Sequence, residues 1–315
     1  MKTSDTPNSS PIFRSISFSE ASGFSPWPDR ILGFDNWKKT RRNEEDILSE
    51  YDQGWYKSLL DTWSEHFQSG PSSPLSFFHR IIKEQCDETE RNYEIYRTRQ
   101  REALFSVGDS LAVGDLVLIA ELFRLMVVRF VEELAARFGA SGVVETGCGA
   151  GINLFFLNAL AGMKPFVGGE ICPNAVRVGN SIAGDLSLPG KFLNFDYRDP
   201  SSLRRLVEGM ENYVLMTCHS IEQVQVRETA FVDSILALKN RPSVVIHIEP
   251  IQWRDEGFYA RLCERYGALN LYNQDLKELL AEKEAEGRIQ IVEQRKRCFG
   301  ISAFNPSSLI AWRPR

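Results

Sequence analysis

Residues Val143–Gly151 read Val-Val-Glu-Thr-Gly-Cys-Gly-Ala-Gly. An apolar run ends in an acid, Glu145, and glycines then fall at every second position, Gly147, Gly149 and Gly151. Ile152-Asn153-Leu154-Phe155-Phe156-Leu157 follows with helical, apolar character. A strand that turns through glycines into a helix gathers backbone N–H groups and the positive end of a helix at one point. Glycine belongs where such a turn is tight and where a ligand must approach the main chain closely. The stretch therefore reads as a site for a nucleotide-like or carboxylate-bearing cofactor. A G-x-G-x-x-G register would put Ile152 where the third glycine belongs, and the Gly-Lys-Ser/Thr ending of a phosphate loop is absent.

Working outward, the pattern alternates. Strands are expected at 142–146, 165–170, 191–195, 212–218 and 243–249, with helices at 152–161, 173–183, 200–210 and 227–239. Alternation of this kind makes a parallel sheet covered by helices on both faces. A helical region over 255–286 comes next. Two β-like runs, Arg288–Val292 and Ser308–Trp312, flank Asn305-Pro306 and predict a terminal hairpin. Upstream, Asp115–Phe138 reads as a strong helix that Gly139 is placed to end, with i,i+4 pairs Arg129–Glu133 and Glu133–Arg137 on its polar side.

The first hundred residues have a different character. Residues 1–30 contain twelve Ser or Pro and read as a flexible arm, interrupted by Phe13, Phe18, Phe24 and Trp27. In a helix from Glu45 to Phe67, residues Ile47, Tyr51, Trp55, Leu59, Trp63 and Phe67 recur every four positions and form a packing stripe. A second helix is expected from about Leu75 to Leu104. Three regions result: the arm at 1–30, a helical lid or acceptor-binding region at 31–114, and an α/β domain at 115–315.

The 315 residues are 43% hydrophobic and 25% charged, with a formal net charge of −5. That balance fits a globular protein and argues against a general nucleic-acid binder, which carries a basic excess. None of the six cysteines forms a C-x-x-C pair, so a reduced, cytoplasmic setting is expected. The longest apolar tract, Leu111–Leu134, is interrupted by Asp115, Glu121, Arg124 and Arg129, which argues against a membrane span. His66 and His79 have no Cys, Asp or second His at ligand spacing, so no metal is expected.

The acid-x-Gly-x-Gly-x-Gly stretch, five βα units and a terminal hairpin together resemble the class I S-adenosylmethionine-dependent methyltransferases over roughly 115–315. The resemblance implies a doubly wound, Rossmann-like seven-stranded sheet with one reversed strand, and S-adenosyl-L-methionine as cofactor. It implies that Glu145 lies beneath the methionine end, with Gly147, Gly149 and Gly151 forming the turn. Glu170, after the second strand, would hold the ribose hydroxyls. Asp196, after the third, would accept the adenine amino group, with Tyr197 beside the ring. Asp199 competes for that role but reads better as a helix start.

In the resemblance, the segment after the fourth strand, Met216-Thr217-Cys218-His219-Ser220-Ile221-Glu222-Gln223, borders the transferred methyl. Cys218 lies there against the cofactor. His219 can deprotonate a hydroxyl near neutral pH, and Glu222 can orient the imidazole or bind an amine. Glu249 closes the fifth strand and is the third candidate catalytic group, while His247 reads as a buried, hydrogen-bonded histidine. The Asp/Asn-Pro-Pro-Tyr/Phe motif of nucleic-acid amino methyltransferases and the Pro-Cys nucleophile of cytosine-C5 enzymes are both absent. Transfer to oxygen or nitrogen of a small molecule is the expected activity. The alternatives are a protein N-methyltransferase and a non-catalytic binding protein.

Overall fold

The computed structural model describes residues 13–35, 37, 45, 48–69, 73–91 and 102–315. Its strands, in chain order, are β1 (Phe13–Ser15), β2 (Glu102–Val107), β3 (Ser110–Asp115), β4 (Gly142–Thr146), β5 (Phe166–Glu170), β6 (Gly190–Asn194), β7 (Tyr213–Cys218), β8 (Val244–Glu249), β9 (Ile289–Gly300) and β10 (Ser307–Pro314). Among the described residues they form one ten-stranded sheet in the order β1-β3-β2-β9-β10-β8-β7-β4-β5-β6.

The run from β9 to β6 contains the seven strands that the sequence predicts. Strands β4 to β8 pair in parallel, and β10 is antiparallel to both β8 and β9. Sequence order reverses at β4, whose neighbours are β5 on one side and β7 on the other. A crevice opens beyond the carboxyl ends of strands at such a switch point. The period-2 alternation of the strands sorts the core into two layers. Val143, Phe166, Val214 and Val244 pack under the helices Leu116–Phe138, Ile152–Ala161 and Pro173–Asp185. Val144, Val167, Leu215 and Val245 face the helices Pro200–Leu206, Phe231–Leu236 and Leu276–Ala285.

The sheet has ten strands, not seven, because the region before residue 115 is not wholly helical. The helix starting at Pro74 ends at Arg91, residues 92–101 lie outside the described residues, and Glu102–Val107 is a strand. Leu104, Leu111 and Val113 alternate into the core in period 2, a signal hidden by the longer apolar tract that follows them. Strand β2 joins β9 through Ser106↔Gly300 and Val107↔Phe299. The arm is also corrected for 13–30: β1 pairs with β3, and Phe18, Phe24 and Trp27 pack with Ala21, Ile31, Tyr259, Tyr266 and Phe304. That burial offsets the entropy of ordering a Ser/Pro-rich segment.

Smaller differences have local causes. The 227–239 helix divides at Ala230, which has φ +52°. The 255–286 region divides into Phe258–Leu269 and Leu276–Ala285. Asp115 begins the helix Leu116–Phe138, its Oδ1 accepting the Leu118 N–H at 3.0 Å. The charges of that helix do not pair internally as i,i+4. Arg129 reaches Glu132, while Glu133 and Arg137 meet Arg295 and Glu293 of β9. Among the described residues no helix is long and apolar enough to cross a membrane.

Candidate active site

The three glycines of the turn all have positive φ: +68° at Gly147, +55° at Gly149 and +84° at Gly151. A Cβ on Gly147 would lie 2.3 Å from Ser220 Cβ, and one on Gly149 would lie 2.7 Å from the Tyr56 hydroxyl. Absence of a side chain therefore lets other parts of the protein reach the turn. The Gly149 N–H donates to Glu170 Oε2 at 2.8 Å, and Glu170 Oε1 accepts from Ile171 N and Cys172 N at 2.9 and 3.1 Å. Burial raises the Glu170 pKa in spite of these donors. The Cys172 thiol is a further partner of this carboxylate, and an incoming hydroxyl would join or displace these donors at Glu170.

Glu145 is buried at the end of β4. Its Oε1 accepts from Asn153 Nδ2 at 2.6 Å, and Asn153 Oδ1 accepts from Arg124 NH1 at 2.7 Å. Burial pushes the Glu145 pKa up to about 8, against the Asn153 hydrogen bond and the Arg124 charge. Glu145 Oε2 and Arg124 Nε are buried and have no hydrogen-bond partner among the described residues. An unpaired acid oxygen and an unpaired guanidinium N–H at one strand end fit a zwitterion, with Glu145 matched to an ammonium and Arg124 to a carboxylate. Arg124 is a residue that the sequence reading passed over. Its signal was a cation inside an apolar helical tract. Cys218 is buried close to Glu145 and Arg124, and burial raises its thiol pKa.

The other residues expected at the cofactor are placed less uniformly. Tyr197 leaves the end of β6 and its hydroxyl donates to the Thr146 carbonyl at 2.9 Å, with Ser220 Oγ at 2.8 Å. It thus ties three strand ends together, and its ring packs on Phe195 and Phe231. Asp196 is half-buried and its Oδ1 accepts from Arg198 N at 2.9 Å. Asp199 caps the helix Pro200–Leu206, accepting from Ser201 N.

Beyond β7 and β8 the three candidate catalytic groups meet. His219, with φ +50°, has Nδ1 3.3 Å from Glu222 Oε2 and Nε2 2.6 Å from Ser307 Oγ. Asn305 Nδ2 donates to Glu222 Oε2 at 3.2 Å, and Gln223 Nε2 donates to Glu222 Oε1 at 3.1 Å. Burial disfavours the imidazolium, but the Glu222 charge outweighs it and holds the His219 pKa above its ordinary value. Burial likewise opposes ionisation of Glu222, and the adjacent His219 keeps its pKa below the usual value. Glu249 Oε1 accepts from Ser220 N and Ile221 N at 3.2 and 3.3 Å. Its Oε2 is buried without a partner among the described residues. Burial, then the charge of Glu222, lifts the Glu249 pKa to about 7. Asn305, from the β9–β10 connection, and Ser307, the first residue of β10, are the remote contributors that local spacing did not reveal.

His247 is a core residue. Trp312 Nε1 donates to its Nε2 at 3.0 Å, and Thr217 Oγ1 lies 3.0 Å from its Nδ1. An indole N–H only donates, so Nε2 is the unprotonated nitrogen and Nδ1–H faces Thr217. Burial pushes its pKa down to about 3. Among the described residues no group of three or more His, Cys, Asp or Glu is arranged to hold a metal ion.

No family model matches the sequence, and a search of curated proteins finds no match. Solved structures with a similar fold include three methyltransferases. A SAM-dependent methyltransferase from Anabaena variabilis is 13% identical, with 55% of this chain and 77% of that chain covered and a TM-score of 0.41. Magnesium protoporphyrin IX methyltransferase from Synechocystis, with bound SAH, is 13% identical, with 64% and 85% covered and a TM-score of 0.46. Geranyl diphosphate C-methyltransferase from Streptomyces coelicolor, in complex with Mg2+, geranyl diphosphate and S-adenosyl-L-homocysteine, is 15% identical, with 63% and 82% covered and a TM-score of 0.45. At these identities the likeness is one of fold.

Proposed function

We propose that the chain is an S-adenosylmethionine-dependent methyltransferase that transfers a methyl group to oxygen or nitrogen of a small-molecule acceptor. One observation carries the reading. At the switch point of a class I sheet, a three-glycine turn bonded to Glu170 adjoins a buried acid and a buried guanidinium, each with an unpaired polar atom. This donor set fits a ligand with ribose hydroxyls at one end and an amino acid at the other. Glu170 would take a ribose hydroxyl on Oε2, Asp196 and Tyr197 would flank the base, and Glu145 and Arg124 would hold the ammonium and carboxylate. When bound, S-adenosylmethionine supplies a methyl group on a cationic sulfonium, which is a good leaving group.

The chain's own task is then to align the acceptor and manage its proton. Both His219 nitrogens are engaged, by Glu222 and Ser307, and the neighbouring Glu222 carboxylate favours the imidazolium. His219 therefore acts as a positioning group. Glu249 has an unpaired oxygen and a pKa near the working range, which suits it to receive the acceptor's proton. Glu222 is committed to His219, Asn305 and Gln223 and is less suited to bind a cationic amine, which disfavours a protein-amine acceptor.

Calorimetric titration tests the cofactor. The chain should bind S-adenosylmethionine and S-adenosylhomocysteine, and binding of NAD in their place would overturn the reading. Incubation with methyl-labelled cofactor and fractionated cell extract tests the acceptor. The label should enter low-mass compounds, and label confined to denatured protein would favour the polypeptide alternative.

A further inference from the structure

We infer that Asp52 and Tyr56, which lie outside the class I core, complete the cofactor site as a clasp over the glycine turn and the helix beside it. The inference rests on the cofactor reading above. Both residues belong to the π-helix Leu48–Tyr56, which continues directly into the helix Lys57–Gln68. A nine-residue π-helix is unusual, since π geometry mostly occurs as single turns and often at functional sites.

Two fastenings hold this element along the helix Pro173–Asp185. Asp52 is only 3% exposed. Its Oδ1 accepts from Asn174 N at 2.6 Å, while Oδ2 and the backbone carbonyl accept from Asn174 Nδ2 at 2.9 and 3.2 Å. One turn past Leu59, Trp63 Nε1 donates to Asp185 Oδ2 at 2.8 Å. Asp52 and Trp63 are as many residues apart as Asn174 and Asp185, so the two helical runs lie side by side in the same direction. Between these fastenings Tyr56 lies against Gly149, its hydroxyl 2.7 Å from where a Cβ would sit, and it feels the charge of Glu170. Tyr56 thus lies on the glycine turn and near Glu170, the group assigned to the ribose.

The Asp52 carboxylate has a second effect. It takes the Asn174 N–H, the first backbone donor of the Pro173–Asp185 helix, at a helix start where an anion would otherwise be favoured. A nucleotide carrying a ribose phosphate would meet Asp52 and Glu170 together. A nucleoside whose ribose is free meets only hydrogen-bond acceptors. The clasp therefore selects an unphosphorylated nucleoside and must lift for it to enter or leave.

Amide hydrogen exchange on the full chain, with and without S-adenosylhomocysteine at about 100 times its Kd, tests this. Openings that release the ligand should then slow by up to about 100-fold. We expect slowing both at 147–153 and at 48–56. Slowing at 147–153 alone overturns the clasp and leaves the cofactor reading in place. Slowing at neither overturns both. In a second measurement, Asp52→Asn keeps the side chain's size and removes its charge. S-adenosylhomocysteine should leave this variant about 10-fold faster, as expected for loss of hydrogen bonds to a charged group, and an unchanged dissociation rate overturns the clasp.

Discussion

The two ends of the crevice are built on different terms. At the ends of β4 and β5 the main chain holds the site: Glu170 is fixed by three backbone N–H groups, and the turn's shape follows from three left-handed glycines. At the ends of β7 and β8, His219 and Glu222 are fixed by side chains, two of which arrive from the β9–β10 connection and the start of β10. The first end is local and stiff. The second is assembled from distant parts and can change its chemistry while the backbone stays as it is. Substitutions should therefore separate binding from turnover.

The largest effect is expected at the second end. His219→Ala, which removes a positioning group, should lower kcat by about 10²-fold and leave the Kd for S-adenosylmethionine unchanged in calorimetry. His219→Asn should recover part of that loss, because an amide can still accept or donate at one of the two positions. Wild-type turnover in His219→Ala would break the contrast and remove His219 from the positioning of the acceptor. At the first end, Glu170→Ala should raise the cofactor Kd by about 10–100-fold, the loss expected for hydrogen bonds to a charged group. Turnover at saturating cofactor should be largely kept. A variant that binds normally and fails to turn over would reverse the assignment of the two ends.

Effects on stability are smaller. Gly147→Ala places a side chain at φ +68° and 2.3 Å from Ser220 Cβ. It should cost about 1–3 kcal/mol in a urea titration, whereas His219→Ala should cost less if its end of the crevice is the adaptable one. The pH dependence sharpens the point. Glu145 and Glu249 have folded pKa values of about 8 and about 7, above the ordinary 4.5. Between those limits the folded state holds more protons than the unfolded state. Stability of the ligand-free protein should therefore fall as pH rises from about 4.5 to 8, by at most about 1.4 kcal/mol per pH unit for each acid, and level off above. Glu145→Gln should flatten that slope in thermal melts at several pH values. A slope of the opposite sign would mean that Arg124 holds Glu145 ionised.

What the sequence made legible follows the same division. The glycine turn, Glu145 and Glu170 lie within one βαβ unit, and the spacing of strand, turn and helix specifies them. The five parallel strands were readable because buried strands give short apolar runs between helical periods. Ser307 and Asn305 were not readable as site residues, since only tertiary pairing of β10 with β8 brings them to His219. Arg124 was read as an interruption of an apolar tract, because periodicity does not reveal what a cation inside a helix faces. The π-helix was read as ordinary helix, since a four-residue recurrence of aromatics suits either geometry over a short span. The β2–β3 hairpin was missed because its apolar residues merge with those of the helix after it.

One side chain bears on where this protein can be cut. Arg297 is buried, and its guanidinium takes both oxygens of Asp255 through NH1 and NH2 at 2.9 and 2.8 Å, and the Asp109 carboxylate through Nε and NH2. Asp109 belongs to the turn between β2 and β3, Asp255 to the segment after β8, and Arg297 to β9. A boundary at 115 therefore has no structural counterpart: severing the chain there would remove Asp109, uncover the edge of β9 and leave a buried cation with half its counter-charge. The N-terminal strands are thus not modular. Truncation or grafting of the α/β core should therefore carry the β2–β3 hairpin with it.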